Sequence, residues 1–135
     1  MGAWGMGSFD NDDAGDWVCE LVDGDDPDFL NKTFDQVLEI GDDYLENPEA
    51  GSGVAAAEVV AALVGRPSQD LPDEVSDWIA GKDKPKHDLL KKAQTALKRI
   101  LKQSELEDSI IDPKDAVEWR NGVENLLNRL TDPIA

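Results

Sequence analysis

Four aspartates crowd the start of the chain: Asp10, Asp12, Asp13 and Asp16. Carboxylates at that density suggest calcium chelation, but the spacing fails. With Asp10 as first ligand, Gly15 falls at the turn, yet Ala14 replaces the ligand before it and Leu21 the closing bidentate glutamate. Asp12-Asp13-Ala14-Gly15-Asp16 also has the aspartate-rich spacing of isoprenoid diphosphate enzymes, which need a second metal motif and a far longer helical barrel. Helix capping and contact with the helix dipole account for these acids. A patch facing a cationic partner is the functional alternative.

A second set of carboxylates, Glu46 and Glu49 followed by Glu74 and Asp77, imitates the spaced acidic pairs of all-α nucleotide pyrophosphohydrolases. Four such groups on facing helices would hold Mg²⁺ on a triphosphate. Against this, Pro48 stands inside the first pair, and Asn47 beside it favours a turn. Gly51-Ser52-Gly53-Val54-Ala55-Ala56 matches a loose dinucleotide fingerprint, but no strand precedes it and no βαβ unit surrounds it. Ser8 and Ser52 lie in no nucleophile elbow. Cys19 and His87 are each single in the chain, so neither a disulfide within the chain nor a poly-histidine metal site is available. Cys19 reads as a packed or semi-exposed thiol. No catalytic residue, cofactor or metal requirement emerges.

The elements that must position these groups are helical. Asp10 or Asn11 caps a first helix with Ala14, Trp17, Val18, Leu21 and Val22 on one face, ending at Gly24. A second begins at Asp26-Pro27 and carries Phe29, Leu30, Phe34, Val37 and Leu38. Residues 42–53 read as a connector broken by Pro48, and a third helix runs from Val54 to Val64. It is thin and apolar on nearly every side, as befits the centre of a bundle. A short fourth helix spans Pro72 to Ala80. The fifth, about 86–102, buries Leu89, Leu90, Ala93, Ala96, Leu97, Ile100 and Leu101. The sixth opens at Asp112-Pro113, runs to about 130, and is expected to bury Val117, Trp119, Val123, Leu126, Leu127 and Leu130. Apolar–polar alternation is absent, so the expected fold is an all-α, single-domain bundle of about six helices over residues 1–135. Ahead of it, Met1 to Phe9 is rich in glycine and carries Trp4 and Phe9, an ordered tail expected to insert both rings into the helical body.

Composition sets the partner's sign. The 135 residues include 30 acids and 13 bases, a formal charge of −17, while 40% are apolar, enough for a core and too many for a disordered acidic tail. Such a charge disfavours nucleic acid and anionic membranes, whose phosphates need Lys and Arg. No apolar run nears the roughly 20 residues of a membrane span. The start carries no secretory signal, and Met6 stands where myristoylation requires Ser or Thr; a cytoplasmic protein is expected. The charge is uneven along the chain. Residues 1–53 hold fifteen acids against Lys32 alone, a balance of −14, whereas residues 82–103 hold eight bases against Asp83 and Asp88, a balance of +6. The chain is thus acidic through residue 81, with a basic fifth helix expected to pair with the acidic body.

Met1-Gly2-Ala3-Trp4-Gly5, Gly7, Phe9, Asn11-Asp12, Ala14 and Asp16-Trp17 resemble the opening signature of a bacterial domain-of-unknown-function family, number 4259. Ala56 to Leu63 with Gly65 and Pro67 resembles its central helix, and Ser104-Glu105-Leu106, Trp119 and Leu126 to Leu130 its C-terminal part. Met6 and Asp108-Ser109 depart from the family's pattern. The resemblance carries over no reaction and no catalytic residue.

The expected function is therefore that of a non-enzymatic binding protein, of the immunity type that neutralises a cationic toxin. Trp4, Asp10, Asn11, Asp12, Asp13, Asp16 and Trp17 form the expected partner-binding set. The Mg²⁺-dependent hydrolase built on Glu46, Glu49, Glu74 and Asp77, and a structural homo-oligomer, are the alternatives.

Overall fold

The computed structural model describes residues 12–24, 28–39, 47–66, 71–82, 85, 87–102 and 113–131. They form six helices and no strand: α1 Asp12–Gly24, α2 Phe29–Glu39, α3 Asn47–Leu63, α4 Asp73–Ile79, α5 His87–Lys102 and α6 Pro113–Thr131. The all-α bundle expected from periodicity is the observed architecture. The glycine-rich tail and the segment from Ser104 to Ile111 lie outside the described residues.

Helix α3 is the axis on which the others pack, touching α1, α2, α4, α5 and α6. Ala50, Val54, Ala55, Ala56, Ala57, Val59, Val60 and Ala61 are all buried, so this helix has no solvent face to speak of. Its small side chains let neighbours approach closely. Val37 of α2 and Ile100 of α5 meet over Gly53, where an added Cβ would stand 2.9 Å from Val37 Cγ2 and 3.0 Å from Ile100 Cδ1. Gly53→Ala is therefore expected to destabilise by about 1 kcal/mol: overpacking costs ~1–3 kcal/mol and the helix-propensity gain returns about 1. Gly122→Ala, where nothing lies within 4 Å, should instead stabilise by roughly 0.5–1 kcal/mol. Opposite signs in urea denaturation of the two variants check both.

Helix α3 begins seven residues before the expected Val54. Pro48 does not break it, because it falls in the first turn, where no intrahelical amide bond is lost. The other end obeys the sequence. Gly65 takes φ +87°, Gly65 N–H donates to the Ala62 carbonyl at 3.0 Å and Arg66 N–H to that of Ala61 at 2.8 Å, a Schellman stop.

One expected core residue lies elsewhere. Val117 is 59% exposed, whereas Trp119, Val123, Leu126 and Leu130 are buried. The buried set advances in steps of four, three and four, and Val117 lies about 200° around the helix from Trp119. It sits on the opposite face.

Polar contacts also tie the helices to one another. Lys92 of α5 donates from Nζ to Asn31 Oδ1 and Asp35 Oδ1 of α2, each at 2.7 Å. Part of the basic helix thus pairs with the acidic half. On the other side, Arg129 of α6 grips Glu58 of α3 through both nitrogens, Nη1 to Oε1 at 2.9 Å and Nη2 to Oε2 at 3.2 Å. Arg129 Nη1 also donates to the Arg66 carbonyl at 3.1 Å, and Nε to Asn125 Oδ1 at 3.0 Å.

Candidate functional site

Helix α1 divides its residues among three directions. Ala14, Trp17, Val18 and Leu21 face the core. Asp16 and Glu20, one turn apart, flank a cleft completed by α2 and the start of α3. Gly15, Cys19 and Val22 turn toward α4.

The cleft encloses about 360 Å³ and is lined by Asp16, Trp17, Glu20, Phe29, Lys32, Thr33, Gln36, Glu49 and Ser52. Its base is fixed by an aromatic pair: the rings of Trp17 and Phe29 stack with centroids 5.4 Å apart and planes 17° from parallel. A hydrogen-bond relay locks the same pair. Trp17 Nε1–H donates to Thr33 Oγ1 at 2.8 Å, and the Thr33 hydroxyl donates in turn to the Phe29 carbonyl at 2.9 Å. Thr33 is only 3% exposed, so this is a buried polar group whose donor and acceptor roles are both filled. The consequence is a rigid joint between α1 and α2 beneath a polar rim.

That rim carries three carboxylates, Asp16 and Glu20 from α1 and Glu49 from the first turn of α3. Lys32 of α2 adds one cation, and Gln36 and Ser52 add neutral donors and acceptors. The arrangement is suited to ammonium and guanidinium groups, which need several acceptors around a partly dehydrated site. Among the described residues, no group of three or more His, Cys, Asp or Glu side chains is placed to hold a metal ion. The three carboxylates share the cleft without converging on one point.

Of the expected partner-binding set, Asp16 and Trp17 meet in this cleft. Asp16 is exposed; Trp17 is only 4% exposed and acts from beneath, as a wall and anchor. Asp12 and Asp13 begin α1 as expected, but their side chains lie outside the described residues, as do Trp4, Asp10 and Asn11. The four-carboxylate set is divided. Glu49 lines the cleft, Glu74 lines the groove between α1 and α4, Asp77 is exposed on α4, and Glu46 lies outside the described residues. The glycine fingerprint is also placed. Because α3 starts at Asn47, Gly51-Ser52-Gly53 lies in helical turns whose amides bond internally, so it forms no phosphate loop.

Sequence reading missed Glu20, Lys32, Gln36 and Ser52 as rim groups. Glu20 had a usable signal, since it stands one turn beyond Asp16 on α1. The others had none, because their proximity depends on how three helices cross. Cys19 is exposed at the groove, and His87 is exposed at the start of α5.

No described helix is long and apolar enough to cross a membrane. No curated protein and no solved structure matches the chain. The model of the family described as Domain of unknown function (DUF4259) matches residues 2–122 of the 135. The match takes in the opening signature, helices α1 to α5 and about the first half of α6, and the chain belongs to the DUF4259 family.

Proposed function

We propose that this protein is a non-enzymatic binding module that presents an acidic helical face to a cationic protein, of the kind by which an immunity protein neutralises a basic toxin in the cytoplasm. The observation that carries this reading is the α1–α2–α3 cleft, where Asp16, Glu20 and Glu49 ring a rigid aromatic base. Exposed Asp23 extends the same helix's negative charge. Asp10, Asn11, Asp12 and Asp13 immediately precede or begin that helix in sequence and belong to the same proposed partner-binding set. A chain of −17 accelerates encounter with a basic partner and repels polyanions, and the cleft then supplies local acceptors for its Arg or Lys side chains. The exposed Lys91 and Lys98 belong to α5, which packs on α2, α3 and α6 and contributes no residue to the lining of the cleft.

The test compares the native chain with an Asp16→Lys, Glu20→Lys variant as bait in a lysate of the native host. The expected result is a basic protein retained by the native chain at low salt, released as salt rises, and held at least about tenfold more weakly by the variant. Equal retention by both, or retention insensitive to salt, overturns the reading. Both substitutions are at exposed positions, so circular dichroism should show unchanged helicity.

A further inference from the structure

The basic helix α5 is only partly paired within the chain. Its apolar side packs into the bundle, and Lys92 reaches Asp35 of α2 at 2.7 Å. Lys91, Thr95 and Lys98 are exposed instead. Among the described residues neither of these lysines has an ion-pair partner, in a chain that carries 30 acids. The i, i+4, i+7 spacing sets the three within about 60° of arc, with Lys91 and Lys98 about 10 Å apart along the helix. Thr95 between them donates its hydroxyl back to the Lys91 carbonyl at 3.0 Å, so no charged or bulky group separates the two cations.

We propose that this stripe docks on helix α1 of a second copy of the chain, where Asp16, Glu20 and Asp23 repeat the same i, i+4, i+7 spacing with opposite charge. All three acids are exposed, and none has an ion-pair partner among the described residues. Asp16 and Asp23 are also about 10 Å apart, so they match Lys91 and Lys98 whether the two helices run parallel or antiparallel. Glu20 then stands between the two pairs, close to Thr95. Within one molecule the stripes belong to different sides of the bundle: α1 packs mainly on α3 and α4, and α5 on α2, α3 and α6. Contact between them therefore takes two molecules, and because the two faces differ it is heterologous. On the reading given above, a second copy and a basic protein compete for the same acids of α1.

Two chains of −17 also repel one another, which gives the association a distinctive salt dependence. At ~0.01 M salt the Debye length is about 30 Å, and the repulsion between whole molecules acts almost unscreened. At ~0.15 M it is about 8 Å. Charges far from the contact are then screened, while carboxylate and ammonium groups at ion-pair distance still attract. At ~1 M, with a Debye length of about 3 Å, that attraction fades too. Exposed ion pairs are individually weak, so the association belongs to high protein concentration. It passes through a maximum as salt rises. Retention of a basic protein, by contrast, falls steadily with salt, because there the net charges attract.

Sedimentation velocity of the purified full-length chain at these three salt concentrations tests the proposal. No other protein is present, so the outcome does not depend on whether a basic partner is ever found. The expected result is a weight-average mass that rises with protein concentration at ~0.15 M salt and stays at the monomer value at ~0.01 M and ~1 M. Two variants each keep one stripe: Lys91→Gln with Lys98→Gln, and Asp16→Asn with Glu20→Gln and Asp23→Asn. Alone, each should remain monomeric. The second variant has lost three negative charges, so repulsion does not account for its loss of association. Mixed in equal amounts, the two should form a dimer and nothing larger, since each brings one intact stripe, and this recovery shows that both are folded. A native chain that is monomeric at every salt overturns the proposal, as does association that persists at ~1 M salt. So does a variant that associates alone as the native chain does, or a mixture that stays monomeric.

Discussion

Replacing Arg129 with Met is expected to lower the free energy of unfolding by about 3–5 kcal/mol, the range for removing one partner of a buried ion pair. The Glu58 side chain is 4% exposed and its carboxylate is satisfied by both guanidinium nitrogens. Without them, the Glu58 carboxylate loses both bonds of its bidentate partner on a buried helix rich in alanine and valine. Against a total stability of roughly 5–15 kcal/mol for a domain, that loss is large. It should appear as a fall in melting temperature on the order of 10 °C. The reciprocal change is expected to cost less. Arg129 is 20% exposed and keeps its contacts to the Arg66 carbonyl and Asn125 after Glu58→Met, so its charge still meets water and acceptors. The double variant Glu58→Met, Arg129→Met should recover most of what Arg129→Met loses, because an apolar pair of similar volume often matches a buried ion pair in stability. If Arg129→Met and Glu58→Met prove equally mild, the pair is not the clamp between α3 and α6 described above.

This pair also marks a limit of sequence reading. Helix α3 was legible as the bundle's centre because its apolar residues leave no polar face. A lone glutamate inside such a run signals a buried charge needing a partner. Which of thirteen bases supplies it could not be read, because Arg129 lies 71 positions away and is one of several bases in the later helices. Boundaries failed where a residue has two meanings. Pro48 ends a helix in mid-run but suits a first turn, and periodicity does not separate the cases when the flanking residues are Asn47 and Glu49. Val117 failed because composition outweighed phase: an apolar residue two positions from Trp119 falls on the opposite face. In the cleft, Asp16 and Trp17 were legible from the opening motif and Glu49 from a different carboxylate pattern. That they share one cavity follows from the crossing of α1, α2 and α3, which no local spacing encodes.

Trp17→Ala carries the other large effect, with an expected loss of about 3–5 kcal/mol, as for truncation of a buried large aromatic. The change removes three things together: the buried indole, its stack on Phe29, and the donor to Thr33 Oγ1. Separating them shows what the cleft depends on. Trp17→Phe retains a ring for Phe29 and loses the indole N–H, so it should cost about 1–3 kcal/mol, combining one hydrogen bond with the smaller ring. Thr33→Val leaves the indole N–H without its acceptor in a buried setting and should cost a similar amount. Combined, Trp17→Phe and Thr33→Val should be less damaging than the sum of the two, because removing both ends of a buried hydrogen bond leaves neither group stranded. Urea denaturation of the four chains measures this directly. The link to the binding face follows from position, since Trp17 lies between Asp16 and the next rim residue Glu20 on α1. If partner binding depends on a rigidly held rim, Trp17→Phe should weaken retention of a basic protein at temperatures where the variant remains fully folded, although no rim charge has changed. Retention equal to the native chain would make the joint beneath the cleft a matter of stability alone.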